Sequence, residues 1–516
     1  MIGGRAETRW EKFALALAAG FFAAFAIAYI PQLGIQTDEA LIAPVIFQKN
    51  CGPAFAEVKA GGLTFPTMLM SYVGALKGWL YIPIFAVFGV SHWSLRLPAA
   101  LLGLCAAILF YGCARRLFDA RIACLSILFL ATDAVFILTA TFDWGPVALQ
   151  HFLLAAAAWV LTYRRDGVRR LEAAGAGLMC GLAIWNKAVV FWTLGGAVLS
   201  GILFYRAEVI AFARSRCLLW FAAGIFVGAS PWSLFNLDYP LRSFTDAPNL
   251  DLGFGWKAGV LFHTLSGDVL MGYLVPSSGE ESRTLFPEAL CLALLLGWIL
   301  EPRFQRKVAA LFTCLFASWV LMVISGGGAP HHTILLAPLP ALLLAAGLGS
   351  AMGSPHRGFR YLAYGLTAVV LAGNAFMGYR YLDRMIYEGG ARGWTRATTA
   401  LAYRLRSLPS RSQVYLLDWG LQNNLCLLEP RHRYQTLGAD EVRPEVFSQF
   451  GEGERLAISA REPYSFTRDV ATKSGTAAAT AGLRLEPFFS VDDGKAKKVA
   501  FDVFRIRPAG EATSRP

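Results

Sequence analysis

The chain has 516 residues, 56% of them hydrophobic and only 16% charged, with a mean hydropathy of +0.48. A single soluble domain of this length does not carry so apolar a composition, so much of the surface must face lipid. The net charge of +12 does not signal nucleic acid, because 21 of the 47 Lys and Arg lie beyond residue 379 and most of the others sit in short turns between apolar runs, a pattern that orients a membrane protein.

Apolar runs of roughly 17–20 residues, the length a helix needs to cross a hydrocarbon core of about 30 Å, recur near 13–30, 94–113, 121–140, 145–162, 172–186, 188–204, 217–235, 284–300, 308–325, 332–351 and 360–378. The fold class expected is a polytopic α-helical membrane protein of about eleven transmembrane helices. Arg5 to Lys12 followed by Phe13–Ile30 has the outline of a signal peptide, with Ala24-Phe25-Ala26 as a cleavage site. An uncleaved first span is preferred, because the run is long enough to cross and cleavage would invert the charge agreement of every later loop.

With a cytoplasmic N-terminus, the inside loops are 114–120, 163–171, 205–216, 301–307 and 352–359. All are basic, through Arg115 and Arg116, the Arg164–Arg170 cluster, Arg206, Arg214 and Arg216, Arg303, Arg306 and Lys307, and Arg357, as the positive-inside rule requires. The outer face then holds the loop 31–93, short turns near 141–144 and 187, the loop 236–283, the glycine-rich turn 326–331 and everything after 379. Within 31–93, Phe65–Phe88 is apolar but interrupted by Lys77, Gly78 and Pro83, and it is expected to lie as an amphipathic helix on the outer surface. Beyond about 390 the composition changes. Val414–Asp418 and Lys498–Ile506 read as strands with helical segments between, giving a small soluble α/β or α+β domain over 381–508 and a disordered tail over 509–516. The domain organisation expected is thus 1–380 in the membrane followed by this domain.

Nine cysteines include no CxxC pair, and seven fall in or beside apolar segments, so neither a disulfide framework nor a zinc site is indicated. Cys51 and Cys426 would be able to pair if both lie outside; the expectation is that they stay unpaired.

The first span runs into Gly34-Ile35-Gln36-Thr37-Asp38-Glu39-Ala40, two adjacent carboxylates at the outer face. In the simplest reading Thr37 caps a surface helix whose positive end Asp38 and Glu39 favour. That loop, followed by Ser94-Leu95-Arg96-Leu97-Pro98-Ala99-Ala100-Leu101-Leu102-Gly103 and Ala114-Arg115-Arg116-Leu117-Phe118, resembles over roughly residues 13–380 the bacterial relatives of protein O-mannosyltransferases and aminoarabinose transferases, which have the GT-C fold. The resemblance implies a glycosyltransferase of the bacterial inner membrane. Its donor would be a polyprenyl-phosphate sugar, its acceptor a hydroxyl on the periplasmic side, and its catalytic residue Asp38. An attacking hydroxyl must lose its proton as the phosphate leaves, which suits a carboxylate base, while the activated leaving group needs no second carboxylic acid. Glu39 would orient the acceptor or bind a cation.

Asp143, in Thr141-Phe142-Asp143-Trp144-Gly145-Pro146, either caps the following helix or, through the resemblance, is a second site acid. Lys187 stands alone in more than thirty apolar residues, as a snorkelling turn lysine or a phosphate contact. His331 and His332, after Gly326-Gly327-Gly328-Ala329-Pro330, resemble the family's histidine-containing start of a late span. They serve as helix starters, as phosphate ligands or, with Glu39 or Asp143, as ligands of a divalent metal. Lys77 stands in for the lysine of the family's Lys-Pro-Pro tract, at a different spacing. Asp418-Trp419-Gly420 and Gln422-Asn423-Asn424 are either a polar loop or a source of sugar and acceptor contacts. A transporter or flippase and a non-catalytic scaffold remain as alternatives, although the polar residues gather at one face instead of the midplane where transporters bind. Neither the sugar nor the acceptor is readable from the sequence.

Overall fold

A computed structural model describes residues 8–47, 51–163, 167–246, 253–276, 282–300, 302–438, 441–448, 454–466 and 470–510. The tail read as disordered falls almost entirely outside them, as do positions 164–166 of the arginine cluster.

The first helix, α1 (Arg9–Tyr29), opens on a capping box in which Thr8 and Glu11 satisfy each other's backbone amides, closing two donors that a helix start leaves open. After it the loop folds into an antiparallel three-stranded sheet, β1 (Ala56–Ala60), β2 (Leu63–Met70) and β3 (Val73–Gly74), ahead of helix α2 (Leu76–Phe88). The amphipathic helix expected over Phe65–Phe88 is therefore half strand. Its first half pairs with Ala56–Ala60, and only the second half is helical, with Lys77 buried instead of facing water.

Helix α3 (His92–Leu117) starts on a Ser91/Ser94 capping box. The next apolar segment is broken into α4 (Ala120–Thr132) and α5 (Ala134–Phe142), bent by 59° at Asp133, whose carboxylate caps the second half through the amide of Phe136. Then come α6 (Val147–Thr162), α7 (Arg170–Asn186), α8 (Val190–Phe204), α9 (Arg206–Arg214) and α10 (Arg216–Asp238). These are followed by α11 (Phe254–Ser266), α12 (Phe286–Leu300), α13 (Pro302–Ile324), α14 (Pro338–Met352) and α15 (Arg357–Tyr387). Each of the eleven apolar runs is helical, one of them as the broken pair α4 and α5; among the described residues, five helices are long and apolar enough alone to cross, or up to eight if each bent pair is one span, against the eleven crossings expected. Several of the others, such as α6 and α12, are too short for that test.

Helices α7 and α10 meet along glycines. A methyl group added to Gly177, Gly181, Gly224 or Gly228 would strike the other helix's backbone at 2.0–2.6 Å. Two small-xxx-small ridges thus let the backbones touch, which is how helices associate where lipid competes equally for apolar side chains. The contact fixes the helix that leads into Lys187.

Beyond α15 lie α16 (Ala397–Leu405), β4 (Gln413–Leu416), α17 (Gln422–Leu428), β5 (Arg433–Thr436), β6 (Arg455–Ala460), α18 (Val470–Thr480), β7 (Leu483–Asp493) and β8 (Lys498–Pro508). The strands form one sheet in the order β5-β4-β6-β8-β7, parallel at β4 and antiparallel across β8. This unit packs on the first loop: Asn424 donates to Ile35 O at 3.2 Å, Gly34 N donates to Trp394 O at 2.8 Å, and Cys51 is disulfide-bonded to Cys426. The expectation that these cysteines stay unpaired is corrected. Two residues 375 apart in sequence become neighbours, with Cα atoms 5.6 Å apart, because α17 docks on the loop.

Non-reducing proteolysis with mass spectrometry should recover one cross-linked peptide pair containing Cys51 and Cys426. Replacing either with Ser should lower stability by about 2–5 kcal/mol, read as a lower thermal midpoint in detergent; recovery of both cysteines as free thiols would refute the link.

Candidate functional site

The acidic loop is shaped by an arginine that sequence reasoning missed. Arg96, fully buried in the first turns of α3, ion-pairs both oxygens of Glu39 at 2.8 Å. It also donates to the carbonyls of Ile30, Leu33 and Gly34 at 2.7, 2.9 and 2.6 Å, and its guanidinium lies over the Phe142 ring. Glu39 accepts from Gln36 N as well. Both oxygens of Glu39, expected to orient the acceptor or bind a cation, are engaged in holding the loop. Thr37 does not cap the turn either. Gln36 does, accepting from Asp38 N at 2.6 Å. The available signal was a charge inside an apolar run, which is unfavourable unless partnered.

Asp38 itself points away from that network. Its Oδ2 accepts from Trp144 Nε1 at 2.7 Å and from Gln36 Nε2 at 3.3 Å. It lines a cavity of about 340 Å³ together with Tyr72, Trp144, Lys187, His331 and Trp419. Burial raises the Asp38 carboxyl above the usual aspartate range, while the Trp144 and Gln36 hydrogen bonds and the charge of Lys187 pull the other way.

Lys187 is 1% exposed, so it does not snorkel. It follows the last residue of α7, and an isolated β-bridge to Val73, with Ala188 N donating to Tyr72 O, fixes its backbone against the first loop. Burial pushes its ammonium down to about 8 against the opposing charges of Asp38 and Asp143. It forms no ion pair among the described residues.

Asp143 and Lys77 come together. Their charged atoms are 2.7 Å apart and both side chains are buried, and Asp143 also accepts from Ala148 N at 2.8 Å, capping α6. Asp143 is thus both the helix cap and part of the site's framework. Lys77, expected at the donor phosphate, is committed to this carboxylate and does not line the cavity.

The histidines divide. His331 lines the cavity and lies against Trp144, ring centroids 5.1 Å apart, and its Nδ1 has no partner among the described residues. His332 turns into the protein, accepting from Gly328 N and packing on Trp192. Among the described residues no three His, Cys, Asp or Glu gather as a metal site. Glu39, Asp143 and His331 do not fit the divalent ion considered for them, since the two carboxylates are held by Arg96 and Lys77.

A second cavity of about 290 Å³ runs between the helices, lined almost wholly by apolar side chains such as Phe110, Leu154, Leu194 and Leu335. Sequence reasoning also missed the aromatic walls Tyr72, Trp256 and Tyr273 of the first cavity, which carry no motif and meet only in the fold.

Residues 74–235 match the model of the dolichyl-phosphate-mannose-protein mannosyltransferase family. No curated protein matches the sequence. Among solved structures, ArnT from Cupriavidus metallidurans bound to undecaprenyl phosphate is similar with a TM-score of 0.62 at 16% identity, over 96% of this chain and 98% of that one. The arabinofuranosyltransferase AftD from Mycobacteria gives 0.52 at 14% identity, over 97% and 40%. The Archaeoglobus fulgidus oligosaccharyltransferase in its apo form gives 0.50 at 13%, over 88% and 70%. At these identities the structures establish the fold, which is the GT-C fold expected from the resemblance.

Glu39→Gln leaves a buried guanidinium short of its counter-ion, which costs about 3–5 kcal/mol. Thermal unfolding of the detergent-purified protein should show that loss for Glu39→Gln and much less for Asp38→Asn. The reverse order would contradict the division between a holding carboxylate and an available one.

Proposed function

We propose that this chain is an inverting glycosyltransferase that passes a sugar from a polyprenyl-phosphate donor to an acceptor hydroxyl, with Asp38 as general base, at the periplasmic face of a bacterial inner membrane. One observation carries the reading. Among the carboxylates Asp38, Glu39 and Asp143 and the cations Lys77, Arg96 and Lys187, Glu39 closes on Arg96 and Asp143 on Lys77. Asp38 and Lys187 are left facing one cavity without closing on each other. A base and a cation held apart across a space suit a reaction that takes up a proton on one side and releases an anion on the other.

In the step proposed, the acceptor oxygen attacks the anomeric carbon from the side opposite the phosphate as its proton passes to Asp38. The new C–O bond forms while the bond to the phosphate oxygen breaks, and the phosphate leaves with the electron pair. Lys187 and the unpartnered His331 nitrogen meet its charge. The apolar cavity between the helices supports the placement, since it offers the first isoprene units a surface like the lipid interior. The Cys51–Cys426 disulfide, which needs an oxidising compartment, and the basic loops at the other face support the orientation.

The test is release of polyprenyl phosphate from a panel of polyprenyl-phosphate sugars. Asp38→Asn should lower it by about 10²–10⁴-fold; equal release by both proteins would remove Asp38 as base. No release with any donor, accompanied by substrate movement across liposomes, would replace the reading with transport. A periplasm-active reporter fused after residue 385 should be active, and an inactive one would invert the orientation.

The pH profile follows from signs. Asp38 works ionised and its carboxyl is raised, so kcat/KM should climb with pH through a value above the ordinary 3.8. Lys187 works charged and is lowered to about 8, so kcat/KM should fall as pH rises past that point. In Lys187→Arg the alkaline limb should move above pH 10; a limb unmoved by this change would assign it to another group.

A further inference from the structure

The cavity is not roofed by the helices that build its floor. Trp419, in the turn after β4, lines it, although its chain belongs to the sheet unit nearly four hundred residues from Asp38. The turn is fixed from below. The Asp418 carboxylate accepts from Trp419 N at 2.8 Å and from Phe466 N at 3.0 Å, and the Trp419 and Phe466 rings pack edge to face, centroids 5.4 Å apart. Gly393 and Gly420 both lie against the Phe466 ring, so the aromatic pair is wedged between the sheet unit and the segment that follows α15.

These rings are held rigidly and yet left open. Trp419 is 53% exposed, Tyr273 42% and Phe466 39%. Buried rings stabilise a fold, whereas rings whose backbone is clamped by hydrogen bonds and which are left exposed beside a cavity suit a flat apolar face. The C–H face of a pyranose is such a surface. Cations stand beside the rings. The Arg392 guanidinium lies 5.7 Å from the Phe466 centroid, on a non-glycine residue held at φ +43, a conformation that persists only where its surroundings impose it. Arg392 and Arg396 are exposed and form no ion pair among the described residues.

We propose that Trp419, Phe466, Tyr273 and Arg392 form the acceptor subsite and that the acceptor is an anionic saccharide. A sugar ring stacks on Trp419 with its hydroxyl toward Asp38, and its acidic substituent meets Arg392. This rests on the transferase reading for the identity of the bound sugar as acceptor, but the binding site stands on its own geometry. The two parts of the chain then divide the chemistry, with the membrane helices holding the donor and the sheet unit choosing what receives the sugar.

The full-length protein in nanodiscs is titrated with two fluorescently labelled tetrasaccharides, cellotetraose and tetragalacturonic acid. The parent should bind the uronate more tightly, with an affinity that falls as salt rises. Trp419→Ala should weaken both by roughly tenfold, as loss of a stacking face does, and Trp419→Phe should restore most of it. Arg392→Gln should weaken only the uronate, to the level of cellotetraose. Binding by Trp419→Ala equal to the parent, or no binding of either sugar to the parent, overturns the subsite; equal affinity of the parent for both sugars overturns its preference for an anion. Polyprenyl phosphate release separates the two ideas. Release that depends on Asp38 without Trp419-dependent saccharide binding defeats the subsite alone, and Trp419-dependent binding without release from any donor defeats the transferase reading alone.

Discussion

Everything at the cavity end of this bundle hangs on one buried guanidinium. Arg96 reaches from α3 to three backbone carbonyls and both oxygens of Glu39, committing its donors to a stretch of ten residues that has almost no secondary structure of its own. A loop of that kind would otherwise sample many shapes, and Asp38 would sample them with it. An arginine is suited to this position because its planar fork satisfies several acceptors at once and does not lose its proton when buried. The charge is costly to bury and is held in place through these bonds.

The same logic sorts the other charged groups. Lys77 with Asp143 makes a second closed pair, which also caps α6. Two closed pairs leave Asp38 and Lys187 on a cavity wall with perturbed acidity, one raised and one lowered, both by removal from water. Groups of opposite sign that face one cavity with shifted acidity mark it as a candidate functional site. The division between pairs that hold and residues that wait is the main chemical statement of this structure.

The membrane helices were legible in the sequence because lipid imposes one rule on every span, and each apolar run lies on a helix. Their number of crossings was less so: Asp133 bends one run by 59° and several helices are short. Asp38, Asp143, Lys187 and His331 were legible as polar residues out of place, and the structure brings all four near one cavity. Their partners were not. Glu39 and Arg96 stand 57 positions apart, and Asp38 and Trp144 106. No local pattern encodes such a meeting. The strand Leu63–Met70 was missed for a different reason: an apolar run beside the membrane reads as helix until its pairing partner Ala56–Ala60 is seen. Trp419 stood in a turn readable either as a polar loop or as a source of sugar contacts, and only the docking of the sheet unit puts it on the cavity wall.

That docking has a consequence for how the protein comes into being. The cavity wall draws on residues from Asp38 to Trp419, and the loop bearing Asp38 is tied to the far unit by Cys51 and Cys426. A chain that stops short of Trp419 lacks part of that wall. A chain still emerging from the ribosome has its aspartate early, but the wall gains Trp419 only after the helices up to His331 have been made. The order of synthesis is thereby an order of assembly, in which the loop bearing Asp38 comes first and the wall contributed by Trp419 comes last.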